Sequence, residues 1–215
     1  MKDYLYKLLG LMILVILLAG CGSGSNTTTA AVQNAENNVT DADGAIKIRL
    51  AHITKPGHPW EYGAQKLGEI LNEKTDGSIV VETFHSGQLG NESDMLQQLS
   101  QGSIEMAVIT AAELSQHSDA FGSWLMPFIV NTHEQAYDLW MSEESMSLFE
   151  ELDGFNVQGL GYFSSGFRNY LMTNDGVTTP EDLANKSLRI TPSPAKVDYY
   201  RLLSVSPTPM PLTEV

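Results

Sequence analysis

The stretch that decides the fold lies between residues 46 and 109, where three short apolar segments recur: IKIRLAHI at 46–53, IVVETF at 79–84 and IEMAVI at 104–109. The first alternates apolar and basic side chains, as a half-buried strand does. The two stretches between these segments have apolar residues at helical spacing. They are Trp60, Ala64, Leu67 and Leu71 in the first stretch, and Met95, Leu96 and Leu99 in the second. Strand–helix–strand–helix–strand with short links predicts a parallel sheet with right-handed crossovers.

The loops of this unit predict where a ligand binds. Residues 54–59 and 86–90 are rich in glycine and proline, and they follow the first and second predicted strands. In open α/β sheets, ligands bind at the carboxyl ends of the strands. We therefore expect the binding edge at these loops.

The second half of the chain alternates helical and extended patterns. Thr179-Pro180 has the residues of a helix start, with a threonine cap followed by proline. The other predicted elements are helices at 113–118, 142–152 and 194–203, and strands at 155–163, 167–173 and 188–190.

Composition excludes one class of partner. The chain has 215 residues, 42% of them hydrophobic, and a net charge of −14. This is enough for one large or two small domains with a core. Nucleic-acid binding requires clustered Lys and Arg, and the sequence has no basic patch. The dispersed acidic residues indicate a solvated surface.

The N-terminus has the pattern of an export signal. Lys2 and Lys7 precede an apolar run at 8–18, which is short for a membrane span and typical of a signal peptide. The run ends Leu17-Leu18-Ala19-Gly20-Cys21, which resembles the bacterial lipobox, and Cys21 is the one cysteine of the chain. The resemblance implies a signal peptide at 1–20 and a lipid anchor on Cys21. The alternative is an ordinary signal or anchor helix with a chance cysteine. Residues 21–45 predict a flexible tether.

The sequence shows no catalytic constellation. The five histidines have no metal-ligand spacing, and Ser164-Ser165-Gly166 lacks the flanking pattern of a nucleophile elbow. We therefore predict no catalytic residue, no metal and no cofactor, and a protein that is not an enzyme.

Two arginines are the candidate binding residues. Arg168 and Arg189 lie in short extended segments among apolar and small residues. A guanidinium at a buried sheet edge must be paired, and it presents planar donors that suit a carboxylate. The residues alone leave two interpretations open: internal carboxylates satisfy both arginines, or the arginines bind a ligand.

Several motifs from residue 46 onward resemble the DctP-type solute-binding subunits of TRAP transporters. The most specific are Gly166-Phe167-Arg168, Thr179-Pro180-Glu181-Asp182-Leu183, Leu188-Arg189-Ile190 and the C-terminal Ser206–Val215. Further motifs that carry the resemblance are His58-Pro59, the turn at 86–90, Gln97-x-x-Ser-x-Gly-Ser103 and Leu125-Met126-Pro127-Phe128.

This resemblance implies a periplasmic-binding-protein-like α/β fold, class II-like, whose two lobes close over an organic acid. It places the carboxylate-binding arginine at Arg189, a second contact at Arg168, an acidic contact at Glu92 and an apolar pocket residue at Leu212. Thr110 stands where several members have a ligand-contacting glutamate. A smaller mono- or dicarboxylate is therefore favoured over a polyhydroxylated, sialic-acid-like ligand.

The resemblance also implies partners and boundaries. We expect a lipid-anchored protein facing the periplasm or the outside, which delivers its solute to the membrane subunits of a TRAP permease. The lobes are predicted at 46–165 and 166–215, the second incomplete because family members continue for about a hundred residues more. We expect such a shortened chain to be poorly stable and to bind weakly. A surface-anchored hydrolase or a ligand-binding sensor of the same fold is the alternative.

Overall fold

The computed structural model describes residues 44–173 and 176–215. The predicted signal peptide, Cys21 and almost all of the predicted tether lie outside the described residues. None of the helices that the described residues form is long and apolar enough to cross a bilayer. The lobe boundary between residues 165 and 166 stays a prediction.

The first sheet has three parallel strands, as the sequence predicts, and the strand at 46–51 lies between those at 79–84 and 106–107. These strands and their crossover helices are β1 (Ile46–Ala51), α1 (Pro59–Lys74), β2 (Ile79–Phe84), α2 (Glu92–Ser100) and β3 (Met106–Ala107). β1 pairs with β2 from Ile46 opposite Ile79 to Ala51 opposite Phe84. β3 is shorter than the predicted segment 104–109, because it pairs with Leu50 and Ala51 alone.

Helix α1 begins and ends at sequence signals. The His58 side chain accepts a hydrogen bond from the Trp60 backbone N–H at 3.2 Å, and Pro59 occupies the first helical position. At the other end, Gly77 adopts a left-handed φ of 80°, and its N–H donates to the carbonyl of Asn72 at 2.9 Å. At each end, one of these bonds therefore satisfies a backbone group that the helix itself leaves free.

The core lies between this sheet and its two helices. Its buried members are Leu50, Ala51, Ile53, Trp60, Ala64, Met95, Ile104 and Val108. Burial of a large apolar side chain stabilises a fold by about 1.5–3 kcal/mol. This packing fixes the carboxyl edge of the sheet, where α2 begins.

The middle of the chain consists of short helices. In order they are α3 (Ala111–Leu114), a 3₁₀ helix (Asp119–Leu125), α4 (His133–Trp140), α5 (Glu143–Ser147) and a 3₁₀ helix (Leu148–Phe155). Thr110, Thr132 and Ser142 cap the three α-helices with their hydroxyls. The predicted helix at 113–118 is thus shifted toward Thr110, whose cap fixes its start.

The second half of the described chain forms a separate two-stranded sheet. A 3₁₀ helix (Pro180–Leu183) precedes β4 (Ser187–Ile190), and helix α6 (Pro194–Leu202) leads to β5 (Ser206–Pro209), which pairs in parallel with β4. A last 3₁₀ helix covers Leu212–Glu214. Ser115 donates its hydroxyl to Ser193, the residue before α6, at 2.9 Å in a buried position.

The prediction of strands at 155–163 and 167–173 is wrong. Phe155 ends a 3₁₀ helix, and residues 156–173 form neither strand nor helix. A strand requires a neighbouring strand to bond with, and no described segment pairs with these residues. The segment instead crosses α1, where the Trp60 indole N–H donates to the Ser164 carbonyl at 3.0 Å. A side chain at Gly63 would collide with Phe163, so this glycine permits the close approach.

Candidate functional site

The acidic residue of the predicted site is part of a buried hydrogen-bonded junction. Glu92 opens α2, and its carboxylate accepts from the Thr110 backbone N–H at 2.5 Å and from the Thr110 hydroxyl at 3.2 Å. Burial raises the pKa of Glu92, and the hydrogen bonds from Thr110 oppose that shift. Glu92 therefore joins α2 to the end of the third strand segment at the carboxyl edge of the sheet.

The Arg189 side chain is held by hydrogen bonds to the backbone of Met210. It lies on β4, and its Nε and Nη2 donate to the carbonyl of Met210 at 2.9 and 2.6 Å. Met210 in turn donates its N–H to the carbonyl of Ile190 at 3.0 Å. An arginine has five N–H donors, so three of them remain beyond these two bonds.

The positive charge of Arg168 affects the pKa of Arg189. Arg168 is exposed on the irregular segment 156–173 rather than on a strand. Burial lowers the pKa of Arg189, and the positive charge of Arg168 lowers that pKa further, while Glu92 raises it. Within residues 44–173 and 176–215, neither guanidinium lies within 4.0 Å of a carboxylate. No described carboxylate therefore pairs with either arginine.

Leu212 lines a different surface from Arg168. Leu212 is 41% exposed and borders a cavity of about 220 Å³ that Glu92, Glu113, His117 and Pro211 also line. Arg168 instead borders a cavity of about 1440 Å³. That larger cavity is predominantly apolar, so its size does not locate the chemistry. The positive charge of Arg168 lowers the pKa of Arg189 and the negative charge of Glu92 raises it, so these three side chains form the candidate site.

Sequence reasoning missed Lys196. Its side chain is buried in the first turn of α6, its ammonium donates to the Thr191 hydroxyl, and it borders the larger cavity beside Arg168. Burial is the main cause that lowers the pKa of Lys196 to about 7, followed by the charges of Arg168 and Arg189. The signal available in the sequence was a lysine in a first helical turn, where the helix dipole disfavours a cation.

Comparison with known proteins identifies the family. Residues 50–215 match the DctP family, described as bacterial extracellular solute-binding protein, family 7. The chain belongs to this family. Its periplasmic-binding-protein-like fold is confirmed by the solved TRAP periplasmic solute-binding proteins that resemble it, one of them, from Sulfitobacter sp. NAS-14.1, with a TM-score of 0.72.

Two curated DctP-family relatives show how much of the chain is shared. Solute-binding protein RD1_1052 of Roseobacter denitrificans is 29% identical over 79% of this chain and 52% of its own length. The C4-dicarboxylate-binding protein DctB of Bacillus subtilis is 27% identical over 75% of this chain and 46% of its own length. The chain thus spans about half the length of the curated relatives it matches.

Two solved relatives contain bound sugar acids. The Roseobacter protein, crystallised with L-galactonate, is 29% identical with a TM-score of 0.71, over 79% of this chain and 56% of its own. The Sulfitobacter protein, crystallised with β-D-galacturonate, is 27% identical over 77% of this chain and 55% of its own.

Proposed function

We propose that this chain belongs to a TRAP-transporter solute-binding protein that captures an organic acid through Arg189, with Arg168 as the second contact. One observation carries the proposal: no described carboxylate lies within 4.0 Å of Arg168 or Arg189, and the positive charge of Arg168 lowers the pKa of Arg189. In a chain of net charge −14, two such guanidinium groups suit an anionic ligand. The proposed role is binding and delivery, without catalysis.

Arg189 has the geometry of a pre-positioned anchor. Two donors bond the Met210 carbonyl, which fixes the guanidinium plane, and the others can bond a carboxylate. Less side-chain entropy is lost on binding when the donor is already fixed. Glu92 and Leu212 both line the cavity of about 220 Å³, and we propose them as the acidic and apolar contacts of the ligand.

We propose a small mono- or dicarboxylate as the ligand. The C4-dicarboxylate-binding relative supports this class. The ligands of the relatives crystallised with L-galactonate and β-D-galacturonate are also monocarboxylates, although polyhydroxylated ones. The Thr110 hydroxyl donates to Glu92 and caps α3 through the N–H of Glu113, so it is committed to the fold. This supports the interpretation that Thr110 does not replace the glutamate ligand contact of other members.

The export and membrane steps complete the proposal. We propose that the protein is anchored outside the cytoplasm by lipid on Cys21 and hands its solute to TRAP permease subunits. The sequence Leu17-Leu18-Ala19-Gly20-Cys21 supports the anchor. If it is correct, Cys21→Ala releases the protein from the membrane fraction of the producing cells. Equal retention of wild type and variant in that fraction would contradict lipidation at Cys21.

A thermal-shift screen of organic acids on the complete gene product tests the binding role. We expect carboxylates to raise the melting temperature of the wild type and to leave that of Arg189→Ala unchanged. Loss of one partner of a buried charged pair costs roughly 2–5 kcal/mol of binding free energy. The exposed Arg201 on α6 supplies the control variant, Arg201→Ala. An equal response of Arg189→Ala and wild type would exclude Arg189 as the anchor.

A further inference from the structure

Lys196 is a buried cation without a described acidic partner. Its side chain is 9% exposed, and its ammonium donates to the hydroxyl of Thr191. No described carboxylate lies within 4.0 Å of that ammonium. Lys196 is also the third residue of α6, where the positive end of the helix dipole disfavours a cation. A neutral hydroxyl compensates little of the cost of burying an ammonium.

The charges around Lys196 do not cancel. Arg168 and Arg189 repel its ammonium, and Glu92 attracts it. With all four groups ionised, three positive charges meet one negative charge, which leaves an excess of two. A ligand with one carboxylate neutralises half of that excess, and a ligand with two neutralises all of it.

We propose that Lys196 is a specificity-determining residue of the carboxylate site, and that its ammonium neutralises a second negative charge of the ligand. The inference rests on the proposed function, since it requires that Arg189 binds a first carboxylate. It assigns to the first turn of α6 a role that depends on the ligand's charge. Lys196 and Arg168 both line the larger cavity, so we place the second charge of the ligand there.

The lowered pKa of Lys196 predicts that the affinity for the ligand depends on pH. Burial and the two arginines lower the pKa of Lys196 to about 7, and a bound dianion would raise it. Affinity for a dianion is then full below about pH 7 and falls by up to about tenfold per pH unit above it. Other titratable groups on α6 are Asp198, Tyr199, Tyr200 and Arg201. Tyr170 packs against Tyr200, and Asp119 belongs to the 3₁₀ helix that contacts α6; burial raises the pKa values of Tyr170 and Tyr199.

Pairs of acids that differ by one carboxylate provide the test. Galactarate differs from galactonate, and succinate from butyrate, by a carboxylate in place of a terminal carbon group. Titration calorimetry of the complete gene product with all four, at several values between about pH 6 and pH 9, measures the preference. Lys196→Met removes the charge at similar volume, Lys196→Arg retains a permanent charge, and Arg201→Met is the matched control on the same helix.

We expect the wild type and Arg201→Met to prefer each diacid by about tenfold to hundredfold below pH 7, as one charged hydrogen bond supplies. Lys196→Met should lose the preference, and Lys196→Arg should keep it without the pH dependence. If Lys196 only supports the fold, Lys196→Met lowers the melting temperature and leaves the preference and its pH profile unchanged, which overturns the inference. If no acid binds the wild type at any pH, the proposed function fails as well. Failure of the proposed function is thereby distinguished from failure of the inference on Lys196 alone, in which the acids still bind.

Discussion

Replacing Arg189 by methionine should destabilise the protein even when no ligand is present. Methionine keeps an apolar stem of similar length and removes both donors to the Met210 carbonyl. A hydrogen bond from a charged group contributes about 1.5–3 kcal/mol, and the two donors share one oxygen, so they count as one interaction. Arg189 is partly exposed, and the freed side chain regains rotamer entropy. We therefore expect a net loss of about 1–2 kcal/mol in the free energy of unfolding.

Urea denaturation of the ligand-free protein measures this loss. For a chain of this size, a loss of about 1 kcal/mol lowers the melting temperature by about 2–4 °C. Arg201→Met on α6 is the control, since Arg201 is exposed and lies 3.8 Å from Asp198. It should change the free energy of unfolding by less than about 0.5 kcal/mol. If Arg189→Met and the control agree within error, the bond to Met210 does not stabilise β4 and β5, and the guanidinium is free to reorient.

Three further predictions concern groups with shifted pKa values. Burial lowers the pKa of His52 below 6.5, so the stability that neutral His52 contributes is full above pH 6.5 and is lost on acidification. Urea titrations should therefore show that His52→Gln loses less free energy of unfolding than the wild type between about pH 7.5 and 5.5. Glu92→Gln should lower the free energy of unfolding by about 1–3 kcal/mol, because an amide cannot accept from both the N–H and the hydroxyl of Thr110 as well as a carboxylate does; an unchanged urea midpoint would contradict this. Hydrogen bonds from Thr178 and Thr179 hold the pKa of Asp182 at about 2, so the stability that this carboxylate contributes is full above pH 3.8 and falls toward pH 2. Acid titrations followed by circular dichroism should show that Asp182→Asn removes this loss.

The sequence predicted the first sheet because its signals are local. Alternating and apolar segments define β1 and β2, and Gly77 and Pro59 mark the ends of the helix between them. Each of these signals acts within a few residues, so no distant contact can override it easily. The parallel pairing of the strands then follows from the helical crossovers between them.

The segment 156–173 could not be predicted in the same way. Its apolar and small residues fit a strand by propensity, but a strand exists only where another strand offers hydrogen bonds. Its path is set by Gly63, where a side chain would collide with Phe163, and by the Trp60 indole that bonds Ser164. These contacts join residues about a hundred positions apart, and a local pattern contains no information about them.

The sequence proposes residues for the candidate site, and their role in binding stays a prediction; it did not indicate how they interact. Arg168 and Arg189 were identified from motif and residue type, and their charges do interact. The bond from Arg189 to Met210 depends on the pairing of β4 with β5, and the contribution of Lys196 depends on its burial in α6. Both are properties of tertiary packing, which composition and spacing do not encode one residue at a time.

The bond between Arg189 and Met210 changes how binding data on this site must be interpreted. A guanidinium that stabilises its own sheet will, when replaced, lower the melting temperature with or without ligand. The diagnostic quantity is therefore the ligand-induced shift measured on each variant separately, not the absolute melting temperature. A variant that loses stability but keeps the full shift would assign Arg189 to the fold alone. A variant that loses both would show that one side chain stabilises β4 and β5 and binds the acid.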